Sequence, residues 1–247
     1  MRRHAFAVVL AFAAAVAGCG FQDEPAGGES TRTPPAASAT PTPPAPPRAR
    51  TVRFEASDGR PVSAQYTPAG RGAPAVVLLH DIRGGLDQWD GLVPHLHAAG
   101  FATLAYESRS SVMERERIRD TLGAVRWLRT RPDVDRRRLA LVGASIGAST
   151  TVFAMATGTR RTVDAAVALS PPDSTDIWAL QDDDRYRPHD LLLVSDERES
   201  ASVEGMLPGA VRTKALRSNG PGHGTELLAE AGVRDALLAW LDDRVRR

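Results

Sequence analysis

Cysteine is nearly absent from this chain: of 247 residues, only Cys19 carries a thiol. No disulfide can close within the chain, and a zinc site built on paired cysteines is excluded. Metal and phosphate signatures are missing as well, with no His-Glu-x-x-His and no Gly-x-x-x-x-Gly-Lys in the sequence, so neither a metal nor a cofactor is expected. Excess charge of one sign is lacking too. The formal net charge is +1, from 31 basic and 30 acidic side chains, and a balanced body gives no electrostatic reason to bind nucleic acid. Internal repeats are not visible, which leaves repeat architectures aside. The apolar run Ala5–Ala17 has 13 residues, short of the ~20 that a membrane-spanning helix needs.

That run does have a reading. Met1-Arg2-Arg3-His4 is a basic leader start and Ala5–Ala17 its apolar middle, the layout of an export signal. It ends in Val16-Ala17-Gly18-Cys19, which resembles the lipobox of bacterial lipoproteins. The resemblance implies removal of residues 1–18 and lipidation of Cys19 on its sulfur and its new amine. The expected location is therefore the bacterial cell envelope, outside the cytoplasm and anchored by lipid; several acyl chains would hold stably where a single one would not. Without Arg2 and Arg3, 29 basic groups face 30 acidic ones. Residues 19–50 follow as a Pro-, Ala- and Thr-rich stretch that cannot bury enough surface to offset its ordering entropy. Within it Pro41-Thr42-Pro43-Pro44-Ala45-Pro46-Pro47 reads as a semi-rigid, extended tether.

From residue 51 to 247 the pattern changes. Thr51–Glu55 and Pro61–Tyr66 alternate around Asp58-Gly59, an antiparallel hairpin. The near-continuous apolar run Ala75–Leu79 marks a strand covered on both faces, Val163–Leu169 and Leu191–Val194 read as further buried strands, and Phe101–Tyr106, Leu139–Val142 and Val211–Leu216 complete the set. Helical spacing predicts Trp89–Ala99, Arg115–Arg129 with Ile118, Leu122, Val125, Trp127 and Leu128 inward, Ala148–Thr157, and Leu227–Val245. Alternating strand and helix means a mostly parallel sheet with helices on both faces, an α/β fold. Ligands in such sheets bind at the carboxyl ends of the strands.

The chemistry gathers at those ends. Strand Leu139–Val142 runs into Gly143-Ala144-Ser145-Ile146-Gly147, and a helix follows. Glycines two places either side of Ser145 let a sharp strand-to-helix turn hold its hydroxyl above the sheet. A serine needs a base, and His223 is the best placed, in the small-residue loop Asn219–Gly224 before the last helix. His95 and His97 lie on a helix and His189 opens a strand, so these three read as packing or surface residues, and His4 leaves with the leader. A carboxylate must steady the imidazole. Three follow strand Leu191–Val194: Glu199 is preferred because the acid usually sits a few residues past the strand end, Asp196 comes second and Glu197 third. The chain order serine, acid, histidine is one of the known triad orders. For an oxyanion hole the backbone N–H of Ile146 and that of Ile82, in the loop after Ala75–Leu79, are the candidates, with His80 organising that loop.

Together Gly143–Gly147, Leu78-Leu79-His80-Asp81, Phe101–Tyr106 and Gly222-His223-Gly224 resemble the α/β-hydrolase superfamily, in its dienelactone-hydrolase-like and small-esterase group. The resemblance implies a serine hydrolase and, most simply, a carboxylesterase working through an acyl-enzyme on a small-molecule ester. Three features depart from that group's usual pattern: His80 is followed by Asp81 rather than Gly, the acid turn lacks Gly-x-x-Asp, and dienelactone hydrolase itself uses a cysteine where this chain has Ser145. Between Leu169 and Leu191 there are about twenty residues, too few for a helical cap domain. The loop Pro171–Asp176 with Ile177, Trp178 and Leu180 would then form an apolar wall beside an open crevice. Two alternatives stand: a serine peptidase or acyltransferase on the same scaffold, and a binding lipoprotein without turnover.

Overall fold

The computed structural model describes residues 48–109, 114–156, 163–172 and 186–245. The leader 1–18, Cys19 and the tether up to residue 47 lie outside the described residues, as do the loop beyond Pro172 and the residues Ile177, Trp178 and Leu180.

Among the described residues, eight strands form one sheet. They are β1 (Arg50–Glu55), β2 (Pro61–Thr67), β3 (Ala73–Leu79), β4 (Ala102–Tyr106), β5 (Val134–Ala144), β6 (Ala165–Leu169), β7 (Leu191–Ser195) and β8 (Lys214–Arg217). Their order across the sheet is β1-β2-β4-β3-β5-β6-β7-β8. β2 is antiparallel to β1 and β4; all other pairings are parallel. The helices are α1 (Val93–Ala98), α2 (Glu114–Arg129), α3 (Ile146–Ala156), α4 (Ser200–Gly205) and α5 (Ala231–Val245).

The central strands have no polar face because both of their faces are covered. All seven residues of β3 are buried, and their alternation divides the core in two. Ala75, Val77 and Leu79 face the layer of α2 and α3, with Val125, Leu128, Val152 and Met155. Val76 and Leu78 face the layer of α1 and α5, with Leu96, Leu237 and Leu241. Each fully buried Leu or Val contributes about 1.5–3 kcal/mol. The edge strands are polar instead: β1 exposes Arg50, Arg53 and Glu55, and β8 exposes Lys214 and Arg217, charges that discourage further strand pairing.

The structure departs from the sequence expectations in four places. The helix expected at 89–99 is a 3₁₀ turn, Leu86–Trp89, followed by α1, because Pro94 suits a first helical turn and no later position. The helix expected at 227–245 is likewise divided into a 3₁₀ segment, Gly224–Ala229, and α5. The strand expected at Val211–Leu216 shrinks to Lys214–Arg217, with Val211 reduced to a bridge to His189. In α2 the buried face includes Arg117, Asp120 and Thr121, while Ile118 and Leu122 are only half-buried. That face is held by polar partners on other elements, which apolar spacing cannot reveal.

Candidate active site

β5 ends at Ala144 and α3 begins at Ile146, so a single residue makes the whole turn. Ser145 makes it with φ 52°, a left-handed backbone that costs about 1–3 kcal/mol for a side chain of this kind. Two bonds hold it there: Ser145 N donates to Leu169 O (2.9 Å), and Ser149 N donates to Ser145 O (3.0 Å). The flanking glycines are required by space. A Cβ on Gly143 would collide with the Gly147 carbonyl, and one on Gly147 would collide with Leu79 O and lie 2.7 Å from His80 O. Helix α3 therefore sits directly on the ends of β3 and β5. The side chain of Ser145 is largely buried, and its Oγ makes no hydrogen bond among the described residues.

His223 arrives from across the sheet top. Gly224, in the left-handed region at φ 59°, carries its main chain against the serine turn, where a Cβ would lie 3.4 Å from Ala144 Cβ and 4.0 Å from Ser145 N. The imidazole Nδ1 lies 2.6 Å from Glu199 Oε1. A carboxylate can only accept there, so Nδ1 carries the proton and Nε2 is left as an acceptor. Glu226 Oε2 accepts from His223 N (3.0 Å) and fixes the main chain behind the ring.

Of the three acids after β7, only Glu199 meets the histidine. Asp196 is committed elsewhere: Oδ1 accepts from Arg198 N (2.9 Å) and Glu199 N (3.2 Å), capping the turn that carries Glu199. Its Oδ2 accepts from the Arg198 guanidinium (2.8 and 2.5 Å) and from Gly222 N (3.3 Å). The Arg198 bonds outweigh burial and keep Asp196 below the usual carboxylate range. Asp196 thus ties the acid turn to the histidine loop without touching the ring. Glu197 points outward, 80% exposed, and pairs with Arg217 at 3.0 Å.

On the other side of Ser145 lies the loop after β3. His80 Nε2 accepts from Ser108 N (3.0 Å) and its Nδ1 donates to Asp81 O (2.6 Å), so both ring nitrogens are spent on backbone. Asp81 and Gln88 clasp each other: Asp81 N donates to Gln88 Oε1 (2.9 Å) and Gln88 Nε2 to Asp81 Oδ2 (2.5 Å). Arg83 N donates to Asp81 Oδ1 (2.7 Å). Between these anchors is Ile82, its side chain 53% exposed. The N–H groups of Ile82 and of Ile146, first residue of α3, have no hydrogen-bond acceptor among the described residues.

No protein-family model matches this chain, and no curated protein sequence does. Solved structures do. An esterase of Pyrococcus furiosus superposes with a TM-score of 0.66 at 16% identity, over 80% of this chain and 93% of that one. A dienelactone hydrolase of Anabaena variabilis gives 0.66 at 17% identity, over 81% of this chain and 100% of the other. A thermostable carboxylesterase cloned from a metagenomic library gives 0.63 at 17%, over 81% and 88%. The chain has an α/β-hydrolase fold.

Around this α/β-hydrolase sheet top, four residues matter that no sequence pattern singles out: Ser170, Thr150, Arg117 and Thr121. Ser170, fully buried at φ 51°, donates its N–H to Val194 O (2.7 Å) and accepts from Gly224 N at Oγ (2.9 Å). It is the peg on which the His223 loop hangs beside Ser145. Thr150 donates from Oγ1 to Ile146 O (3.1 Å) and accepts there from Arg117 Nε (3.1 Å). Arg117, buried and paired with Glu114, so braces the first turn of α3 from α2. Thr121 joins this brace to β4, donating to Arg117 O (2.8 Å) and accepting from Tyr106 OH (2.9 Å). A left-handed serine just past a buried strand has no one-residue signature. The buried arginine leaves only a weak trace, a charge on the inner side of an otherwise amphipathic helix.

Proposed function

We propose that this chain is a serine hydrolase, a carboxylesterase acting on small or exposed esters. The observation that carries the reading is the 2.6 Å contact between His223 Nδ1 and Glu199 Oε1, in a loop whose next residue rests on the Ser145 turn. The esterases and the dienelactone hydrolase with the same fold support it.

Ser145 Oγ attacks the ester carbonyl carbon while His223 Nε2 takes its proton. Glu199 holds the resulting imidazolium at Nδ1. The carbonyl oxygen becomes an oxyanion, which accepts from the N–H groups of Ile146 and Ile82. Collapse breaks the ester bond, the alcohol leaves with the proton from Nε2, and an acyl group stays on Ser145. Water then attacks that acyl carbon, giving its proton to Nε2. The second collapse releases the carboxylic acid and returns the proton to Ser145 Oγ. Turnover of a short-chain p-nitrophenyl ester is expected, and Ser145→Ala should abolish it while leaving the melting temperature within a few degrees. Unchanged turnover in that variant would refute the reading, and cleavage of peptides in preference to esters would move it to the peptidase alternative.

The leader and Cys19 belong to the same proposal. Residues 1–18 direct export and are removed, Cys19 carries the lipid anchor, and residues up to 50 tether the hydrolase to the envelope membrane. The mature protein should show an acylated N-terminal Cys19 by mass spectrometry, absent in Cys19→Ser; an unmodified thiol would contradict it.

A further inference from the structure

Although the whole chain is nearly neutral, its charge is not spread evenly. At the edge of the sheet where the parallel strands begin, opposite the serine turn, Arg50, Arg71, Arg131, Arg136, Arg137 and Arg138 come together. The strand starts bring them there. Arg50 opens β1 opposite Tyr66 in register, and Tyr66 OH donates to Asp133 Oδ2 (2.7 Å). Ala73 N donates to Asp133 O (3.0 Å), which sets the Arg71 turn beside the start of β5. Arg138 Nη2 closes the same seam on Gly72 O (2.7 Å). Six arginines thus surround Asp133 and Asp135, with Asp164 before β6 beside them, and all three aspartates are engaged: Asp133 by Tyr66, Asp135 by Arg138 (2.8 Å) and Arg137 N (3.0 Å), and Asp164 by Leu139 N (3.0 Å). Arg50, Arg71, Arg136 and Arg137 are exposed, and none forms a side-chain ion pair among the described residues.

We propose that this face is a docking surface for an anionic phospholipid bilayer. Clustered arginines attract a negatively charged headgroup layer, and the attraction adds up within about a Debye length. The choice of a bilayer over another polyanion rests on the anchoring reading above and on where the chain joins the domain. Residues 1–47 connect to it at Arg48, next to Arg50, so a lipid on Cys19 is tethered to this same edge. β3 pairs with β5 from Ala73 opposite Val134, beside the arginines, to Leu79 opposite Gly143, next to the serine turn, a separation of about 20 Å at ~3.3 Å per residue. Docking by the arginine edge therefore leaves the crevice facing away from the headgroups and open to solutes.

The full chain carrying Cys19→Ser, which has no sulfur to acylate, tests the surface apart from the anchor and without reference to ester turnover. Its cosedimentation is measured with vesicles of phosphatidylglycerol and phosphatidylcholine and with phosphatidylcholine vesicles alone, over a range of salt. Binding should favour the anionic vesicles and weaken as salt rises. Arg136→Glu with Arg137→Glu should lower it at least tenfold, while Arg136→Lys with Arg137→Lys should keep it, each with an unchanged melting temperature. Arg2 and Arg3 are common to all variants, so the difference reports on the arginine face. Equal binding to both vesicle types, an unaffected Glu variant, or retention on duplex DNA without vesicle binding would overturn the proposal. A failed anchor shows instead as an unmodified Cys19 in the natural sequence.

Discussion

Two histidine–carboxylate pairs stand at opposite ends of β7, and they do different things. Below the strand, His189 Nδ1 lies 3.2 Å from Asp190 Oδ2, and the pair is buried. Above it, His223 Nδ1 lies 2.6 Å from Glu199 Oε1, with nearly half of the imidazole exposed. The lower carboxylate is claimed by Arg212 through two bonds (2.6 and 2.5 Å), so it serves as the counter-ion of an arginine and touches the ring only secondarily. The upper carboxylate takes no arginine among the described residues; Asp196 absorbs Arg198 and leaves Glu199 to the histidine. A histidine beside an acid is therefore not enough. What separates the two is the partner of the acid and the exposure of the ring: the lower imidazole is buried, while the upper one stands half-exposed in the loop whose next residue, Gly224, lies against the Ser145 turn.

Replacing the acids should expose this difference most sharply. Glu199→Gln keeps the shape but leaves no carboxylate for the imidazolium, and kcat for ester hydrolysis should fall by about 10²–10⁴ with little change in melting temperature. Asp190→Asn should do the reverse, leaving kcat within about twofold and lowering stability by about 1–3 kcal/mol, since Arg212 loses its partner but remains half-exposed. Steady-state kinetics and denaturant unfolding on both variants separate the outcomes; a large kcat loss in Asp190→Asn would erase the distinction.

Acid titration sharpens it further. Burial alone would raise the Asp190 value, but the hydrogen bonds and charge of Arg212, with help from His189, hold it below the ordinary range. A carboxylate with a depressed folded value stabilises fully above its unfolded value, near 3.9, and loses that contribution as pH falls through the folded value. Arg212→Gln should therefore cost stability at pH 6 and progressively less below about pH 4, read from urea midpoints across that range. A constant difference would show that Asp190 does not titrate through this pair.

The smallest effect concerns the brace under α3. Thr150→Val removes both the bond to Ile146 O and the one from Arg117, and kcat should drop about three- to tenfold at constant KM. Thr150→Ser should restore it. A loss that Ser does not rescue would point to packing instead of positioning.

Much of this was legible in the sequence, and the reasons are local. Ala75–Leu79 reads as a doubly covered strand because both of its faces are apolar, and Gly143–Gly147 reads as a turn because both glycines sit where a Cβ cannot. In the sequence, distance from the strand end favours Glu199 over Asp196; in the structure, Glu199 meets His223 and Asp196 caps the turn. Asp196 followed three residues later by Glu199 is a turn-capping signature, which commits the aspartate to backbone N–H groups. The residues that escaped notice act through distant partners. Ser170 meets Gly224, 54 positions on, and Arg117 meets Thr150, 33 positions on. No periodicity within a single helix or strand encodes such a pairing.

The most direct test of the Ser145–His223–Glu199 assembly is its reaction with a fluorophosphonate, followed by peptide mass spectrometry. The expected result is one adduct per chain, on Ser145, formed at the same rate in Asp190→Asn and at least a hundredfold more slowly in His223→Ala and Glu199→Gln. An adduct elsewhere, or undiminished labelling of Ser145 in His223→Ala, would contradict it.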